Sequence, residues 1–561
     1  MKGITMKRDA MSKEDSLKLF LSLLSLFLLA SFLTACGGGG ASGPIQNNQN
    51  VTGSVSTGTP EPASEPEPQP VSSESSRWVE GVFEPDSNFK SLCENPRDGF
   101  SEVTGEAFPD LPGSALDEND WLRSWVNDTY LWYNEVIDRD PSLFTTEQYF
   151  PLLRTEETTA SGKDKDEFHF TVPTDEWEAL SLTGSSSGYG ATIAILSSSP
   201  PREAIVVYTE PGTSASSVNL SRGARILEVD GADLEFGNEV DTLNAGLFPE
   251  TDGEMHQFRV LDPGASEPRD INLTSGPITS TPVLEVETLD TNTGKVGYIL
   301  FNDHIATAEQ GLVEAVEQLD AEGITDLVLD LRYNGGGFLA IASQMAYMIA
   351  GDTPTNGRTF EALRFNDKHP VFNPVTGQLN EPVPFYSSTL GFSISAGENL
   401  PSLDLTRVFV ITTSNTCSAS ESIINGLRGI GVDVVLLGST TCGKPFGFYA
   451  TDNCGTTYFS IQFQAENDAG FGEFSDGFAP NNASSIGTVS VPGCFVSDDF
   501  SNPLGDTSEA MLAMALQYRD TGSCSTSSGK VQPDNQEQKA TKVSPDAVVV
   551  KSLWLQNKTL P

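Results

Sequence analysis

Four short apolar runs, separated by helical patterns, constrain this chain more than any other feature. Val296-Gly297-Tyr298-Ile299-Leu300-Phe301, Leu327-Val328-Leu329-Asp330-Leu331, Val408-Phe409-Val410-Ile411-Thr412 and Val434-Val435-Leu436-Leu437 have the length and β-branched content of buried strands. Between the first two, Leu312, Ala315, Val316 and Leu319 fall on one face of a helix. After the second, Phe338 to Ala350 is apolar nearly all round, which marks a buried helix. Strands that alternate with helices bury their apolar surfaces as a largely parallel sheet with helices layered on it. The spacing therefore predicts an α/β domain over residues 278–525.

A chain of 561 residues is long enough for more than this one core. Over 183–277, apolar strands such as Gly190-Ala191-Thr192-Ile193 and Ala204-Ile205-Val206-Val207-Tyr208 are broken by Pro211-Gly212 and Asp230-Gly231 turns, which predicts a small β-rich domain. Residues 77–182 predict a helical N-terminal region, with one clear helix over Trp121–Val136. Its Trp121, Leu122, Trp125, Val126, Leu131 and Trp132 stripe reads as a face packed on the next domain rather than as a substrate surface. Residues 37–76 are Gly, Ser, Thr, Asn, Pro and Glu, and cannot bury enough apolar surface to order themselves, so they read as a disordered tether. Residues 526–561 return to polar sequence around Val548-Val549-Val550, a tail or a late edge strand.

Charge excludes one class of partner. With 77 acidic against 32 basic residues the net charge is −45, which repels phosphate backbones and anionic lipid headgroups, so no nucleic-acid partner is expected. The first 36 residues have a basic start, a short apolar run from Leu19 to Leu33 and an ending Leu33-Thr34-Ala35-Cys36, an export signal rather than a spanning helix. That ending resembles the bacterial lipobox, which implies lipidation of Cys36, a place in the bacterial cell envelope at the outer membrane, and membrane contact only through the lipid anchor. Six cysteines then remain in an oxidising compartment: Cys93, Cys417, Cys442, Cys454, Cys494 and Cys524. Three disulfides fit better than zinc, because there is no CxxC pair and there are only four histidines. The pairing expected first is Cys442 with Cys454, across what looks like a hairpin from Phe446 to Phe463.

Two segments of the α/β domain carry chemistry. Asp330-Leu331-Arg332-Tyr333-Asn334-Gly335-Gly336-Gly337 runs from a strand into a glycine turn and a helix. Ser414-Asn415-Thr416-Cys417-Ser418-Ala419-Ser420-Glu421 is a second strand-to-helix junction, and Lys444 follows Ser418 by 26 residues in Cys442-Gly443-Lys444-Pro445. Ser418 is placed at the start of a helix through Ile423, Ile424 and Leu427, where backbone N–H groups favour negative charge. A serine nucleophile needs a base, and a lysine can serve only if buried. The glycine turn offers N–H groups that, with Ala419 N–H, could complete an oxyanion hole. A purely structural reading competes with this one: Ser418-x-x-Glu421 is also a capping box, and the glycine turn a phosphate-type loop. A Ser–His pair is a further alternative, but His169, His256, His304 and His369 lie in strand or loop contexts without a signature.

These segments resemble the C-terminal-processing, or tail-specific, serine peptidases, which show D-L-R-x-N-x-G-G, then S-A-S-E, then G-K. The resemblance spans roughly residues 115–520. It implies an α/β catalytic domain with a ClpP/crotonase-like layered β-α core and a β-rich PDZ-like domain inserted before it. By that carry-over Ser418 is the nucleophile, Lys444 the base and Glu421 the residue that orients them, with Gly336 and Ala419 in the oxyanion hole and Gly335 close behind. The PDZ-like resemblance implies that Gly188, Tyr189, Gly190 and Ala191 receive a peptide's C-terminus while the peptide adds as a strand. Two departures stand out: the Ser-to-Lys spacing is one residue longer than usual, and Phe448 stands where some members have a glutamine. The expected function is hydrolysis of exported or misfolded polypeptides through a Ser/Lys dyad, with no metal or cofactor required. The alternative is a non-catalytic peptide- or ligand-binding surface lipoprotein on the same scaffold.

Overall fold

The computed structural model describes residues 77–249 and 251–524 in full and, by backbone alone, the short strands Thr34–Cys36 and Val548–Val550. The expected signal peptide, lipidation site and tether otherwise lie outside the described residues. The first long helix, α1, spans Ala115–Thr129. It starts earlier than the aromatic stripe indicates because Ser114 caps it, its hydroxyl accepting from the Asp117 amide while the Asp117 carboxylate accepts from the Ser114 amide. It ends before Leu131 because Tyr130 turns extended and the Leu131 amide donates to the Ile461 carbonyl instead of continuing the helix. The N-terminal region is not only helical: Phe170–Pro173 pairs antiparallel with Thr456–Phe459.

The β-rich segment forms an antiparallel sheet from β1 (Ala191–Ser197), β2 (Glu203–Thr209), β3 (Arg225–Val229), β4 (Met255–Leu261) and β5 (Arg269–Thr274), with helix α2 (Val240–Leu247) between β3 and β4. The order is β5-β4-β3-β2-β1, and the backbone of Val548–Val550 lies antiparallel along the outer edge of β1. The period of two divides its side chains. Ile193, Ile195, Ala204 and Val206 face the segment's own core with Leu243 and Phe258, whereas Ala194, Ile205 and Val207 face the next domain.

That domain is a six-stranded sheet of β6 (Val283–Thr291), β7 (Gly294–Phe301), β8 (Asp326–Asp330), β9 (Arg407–Thr412), β10 (Asp433–Gly438) and β11 (Gly493–Phe495), in that spatial order. β6 and β7 form an antiparallel hairpin, and from β7 to β11 every neighbour is parallel. Helices α3 (Ala308–Glu322), α4 (Leu339–Ala350) and α5 (Ala419–Gly429) cover one face against Ile299, Leu329, Val410 and Leu436. The other face, with Tyr298, Val328, Ile411 and Leu437, is covered by α6 (Ala510–Thr521) and by the β-rich segment. Burial on both faces explains why these strands read as unbroken apolar runs. Every residue of α4 is buried, as its all-round apolar sequence requires.

Candidate active site

Three neighbouring parallel strands end side by side, and each delivers one part of the site at its carboxyl end, where open α/β sheets form their crevices. From β8 the chain enters the Leu331–Gly337 turn, from β9 it reaches Ser418, and from β10 it reaches Lys444. The first two turns are laced together. The Cys417 amide and the Ser420 hydroxyl both donate to the Asn334 carbonyl, and the Thr416 hydroxyl donates to the Leu331 carbonyl.

Arg332, the arginine of the D-L-R segment, anchors the glycine turn from below. Its guanidinium is fully buried, reaching Asp330 through Nε at 3.0 Å, Asp498 through Nη1 at 2.9 Å and both carboxylate oxygens of Glu509 at 2.9 Å. A fork of fixed donors suits this paired geometry, where a lysine would offer only a point charge. The turn is tight where it passes His304: Gly337 has φ +134°, and a Cβ there would lie 2.3 Å from the His304 carbonyl oxygen.

Ser418 stands one residue before α5 with φ 57° and ψ −116°, a left-handed conformation that non-glycine residues rarely adopt. Its Oγ is buried without a hydrogen-bond partner. Strain of this type persists where the surroundings over-determine it, and a sharp strand-to-helix turn is how several hydrolase folds present a serine. Lys444 is 2% exposed, and its Nζ lies 4.0 Å from the centroid of the Phe448 ring and 4.6 Å from that of Phe168. The residue at the glutamine position thus packs its ring over the amine. Phe168 joins it from the N-terminal region, through an aromatic core that also holds Trp121, Phe446 and Phe459.

Glu421 connects the two. Its Oε2 accepts from the amide nitrogens of Ser418 at 3.0 Å and Lys444 at 2.8 Å, and its Oε1 from the Gly443 amide at 2.9 Å and the Thr441 hydroxyl. Burial raises the Glu421 carboxyl above the ordinary range, while these donors oppose the rise. Gly443 has no alternative in this loop: at φ +86° a Cβ would sit 2.3 Å from the Ser475 carbonyl oxygen and 2.6 Å from the Gly477 amide. The G-K pair is therefore a close-approach glycine followed by the lysine it places.

The cysteine pairing differs from the expectation. Cys442 bonds Cys417, Cys454 bonds Cys93, and Cys494 bonds Cys524. Cys454 lies at the far tip of the Thr451–Phe459 hairpin, facing the N-terminal strand that contains Cys93, whereas Cys442 precedes the hairpin's base and faces the turn that carries Ser418. Cys417, Glu421 and Cys442 come close enough together to hold a metal, but the two sulfurs are already bonded to each other.

Of the oxyanion candidates, Ala419 opens α5 and is buried, while the Gly336 amide donates to the Asn334 side-chain oxygen at 2.9 Å. That oxygen also meets His304 Nδ1 at 2.9 Å, and the Asn334 amide donates to the Phe301 carbonyl. His169 stacks on Phe150 and bonds its carbonyl, His256 pairs with Asp230, and His369 bonds the Asp128 carbonyl. In the β-rich segment the Gly188–Ala191 turn leads directly into β1. Its Tyr189 is buried, with the hydroxyl donating to the Gly246 carbonyl at the end of α2. Sequence reading missed Phe168 and Glu509. Neither carries a local signal, since each matters only through a partner distant in the chain.

A strained serine at a helix start, a buried lysine and a carboxylate holding both backbones, on the ends of a parallel sheet, are the features of a serine-peptidase domain. Residues 295–448, which include the glycine turn, Ser418 and Lys444, match the model of Peptidase family S41. Over 175 residues it is 30% identical to a carboxyl-terminal-processing protease of Picosynechococcus sp., covering 30% of this chain and 39% of the relative. Over 237 residues it is 27% identical to a carboxyl-terminal-processing protease of Synechocystis sp., covering 40% of this chain and 54% of the relative. The matches thus span about half or less of these relatives' lengths. A crystal structure of an S41 protein from Bacteroides fragilis shares the fold, with a TM-score of 0.54 at 22% identity over 74% of this chain and 99% of the other.

Proposed function

We propose that this chain is a serine endopeptidase of the tail-specific type that acts through a Ser418/Lys444 dyad. The observation that carries the reading is the single Glu421 oxygen that accepts from the amides of both residues, beside a Ser418 hydroxyl that is buried, strained and without a partner. Ser418 Oγ attacks the peptide carbonyl carbon and its proton passes to Lys444 Nζ. The tetrahedral oxyanion is received by the Ala419 amide at the helix start and by the glycine turn, once Gly336 N–H turns from Asn334 to the substrate. Collapse expels the amine, protonated by Lys444, and leaves an acyl-enzyme. Lys444 then takes a proton from water, which attacks the ester and regenerates Ser418. Glu421 is a positioning residue, since its oxygens bond backbone and the Thr441 hydroxyl.

The β-rich segment serves as a PDZ-like module that binds substrate C-termini at the Gly188–Ala191 turn. The N-terminal sequence supports an exported lipoprotein anchored through Cys36, acting on polypeptides of the cell envelope. The test is hydrolysis of an unfolded protein by the parent, Ser418→Ala and Lys444→Ala. Activity in the parent that is lost in both variants supports the dyad. Activity that survives Ser418→Ala means another nucleophile.

A further inference from the structure

We infer that the Cys417–Cys442 disulfide is a covalent positioning element of the catalytic pair, so that the peptidase is active when this bond is closed and is switched off by a dithiol that opens it. The inference rests on the dyad reading, and on the place of the bond relative to the two residues. One half-cystine immediately precedes Ser418 and the other stands two residues before Lys444. Between them the chain runs out through α5 and back through β10, so the bond closes the base of an excursion whose two ends carry the nucleophile and the base.

The loop needs such a tie. From Thr440 to Pro445 the chain forms neither helix nor strand, and no ladder of backbone hydrogen bonds sets the height of Lys444. The loop is held by Glu421, by the Cys442 amide donating to the Thr416 carbonyl, by Lys163 Nζ donating to the Cys442 carbonyl, by bonds between Thr441 and Phe478 and from the Ala465 amide to the Pro445 carbonyl at its two ends, and by the disulfide. The disulfide is the one covalent tie among these. Removing it leaves a few hydrogen bonds to keep two reacting groups in register, and misplacement on the scale of 1 Å costs on the order of 100-fold in rate.

Opening the bond also creates a competitor. Cys442 Sγ lies 3.3 Å from Glu421 Oε2, the oxygen that receives the Ser418 and Lys444 amides. A disulfide sulfur has no hydrogen to donate, but the thiol produced by reduction does. The Cys442 S–H can then claim the oxygen that aligns the pair. The two thiols must also find room in the aromatic core of Phe446 and Phe448, since both sulfur-bearing residues are nearly closed to solvent at 1% and 8% exposure.

The step is a two-electron exchange. A thiolate of an external dithiol attacks the sulfur of the more exposed Cys442, and Cys417 leaves as a thiolate that takes a proton. The second thiol of the reagent then closes on the mixed disulfide, releasing Cys442 as a thiol and the reagent as its cyclic disulfide. Reoxidation by the disulfide form of such a reagent reverses both steps. The other two disulfides serve as internal controls, because Cys494–Cys524 joins β11 to the end of α6 and Cys93–Cys454 joins the N-terminal strand to the hairpin tip.

The experiment compares steady-state peptidase kinetics of the full chain with those of Cys417→Ser/Cys442→Ser and Cys494→Ser/Cys524→Ser. The expected result is a kcat lower by about 10- to 100-fold in the first double variant with KM within about twofold, and a kcat close to the parent in the second. A first double variant that folds and keeps the parent kcat overturns the inference. Should that variant not fold, graded dithiothreitol treatment of the parent, with alkylation and mass mapping of each cysteine, supplies the same decision. Activity should then fall in step with opening of Cys417–Cys442 while near-ultraviolet dichroism is retained, and should return on reoxidation. Full activity with that bond open overturns the inference. Ser418→Ala, assayed alongside, separates the two ideas: its retained activity overturns the dyad itself, whereas an inactive Ser418→Ala beside an active open-disulfide form overturns only the staple.

Discussion

The amide of Lys444 donates to Oε2 of Glu421 at 2.8 Å. The same oxygen accepts from the Ser418 amide, and the other from the Gly443 amide and the Thr441 hydroxyl, so a single carboxylate holds the backbone at Ser418 and at Lys444. A glutamine has one acceptor oxygen and turns an NH₂ group toward donors that have nothing to give it. Glu421→Gln is expected to lower kcat by about 100-fold, since both partners shift. It should destabilise the fold by about 2–3 kcal/mol, because buried N–H groups lose their acceptor. Kinetics and denaturant unfolding of the same preparation check both.

Acid should weaken the fold through His169. This ring is buried on Phe150, and burial pushes its imidazole down to about 4. The unfolded chain binds the proton near the ordinary value of about 6.5 while the folded protein refuses it, so unfolding takes up a proton between those limits. Stability is therefore retained above pH 6.5 and lost as the pH falls toward 4, by about 3 kcal/mol from this group. His169→Gln should flatten that part of the profile, read as the slope of unfolding free energy against pH.

Glu361 acts in the opposite sense. It lies beneath α5 beside Ser422, and burial pushes its carboxyl up to about 7. The unfolded chain ionises this group near its ordinary value while the folded protein holds it neutral, so unfolding releases a proton and stability declines as the pH rises toward 7. Glu361→Gln should leave stability near pH 4 unchanged and raise it by about 3 kcal/mol at pH 8. Urea unfolding at the two pH values decides it.

Arg332 sits fully buried among Asp330, Asp498 and Glu509. Removing Glu509 takes away two charge-assisted hydrogen bonds of the buried guanidinium, although Asp330 and Asp498 still pair with it, so Glu509→Leu is expected to cost about 3–5 kcal/mol. Arg332 carries the glycine turn, so kcat should fall as well, while replacing the exposed partner in Lys295–Glu322 should change neither measurably.

Much of the scaffold was legible because local pattern encodes it. Strands β7 to β10 are apolar runs buried on both faces, α4 is apolar all round, and α5 begins where a serine and a glutamate three residues later mark a helix start. The glycine turn and Ser418 stood at strand-to-helix junctions for the same local reason, whereas Lys444 lies in a loop between two strands. The boundaries of α1 were less legible, because a cap at Ser114 and a tertiary bond from Leu131 decided them rather than the aromatic stripe. The disulfide shows the dividing line. Cys417 pairs with Cys442 because the turns that carry them meet in space, whereas the local hairpin pattern points to Cys454.

What the sequence by itself determined is the set of elements and the residue types at their ends: alternating strands and helices, a glycine turn, a serine at a helix start, a glycine that precedes a lysine. What only the tertiary structure decided is which ends meet. Three strands had to lie side by side in the order β8-β9-β10 before Cys417 could bond the Asn334 carbonyl and Glu421 the amides of both Ser418 and Lys444. Phe168 had to arrive from the N-terminal region to cover the lysine, and Glu509 from the last helix to balance Arg332. Side-chain periodicity is a property of neighbours in the chain, whereas these contacts join residues far apart in it and exist only after both faces of the sheet are buried.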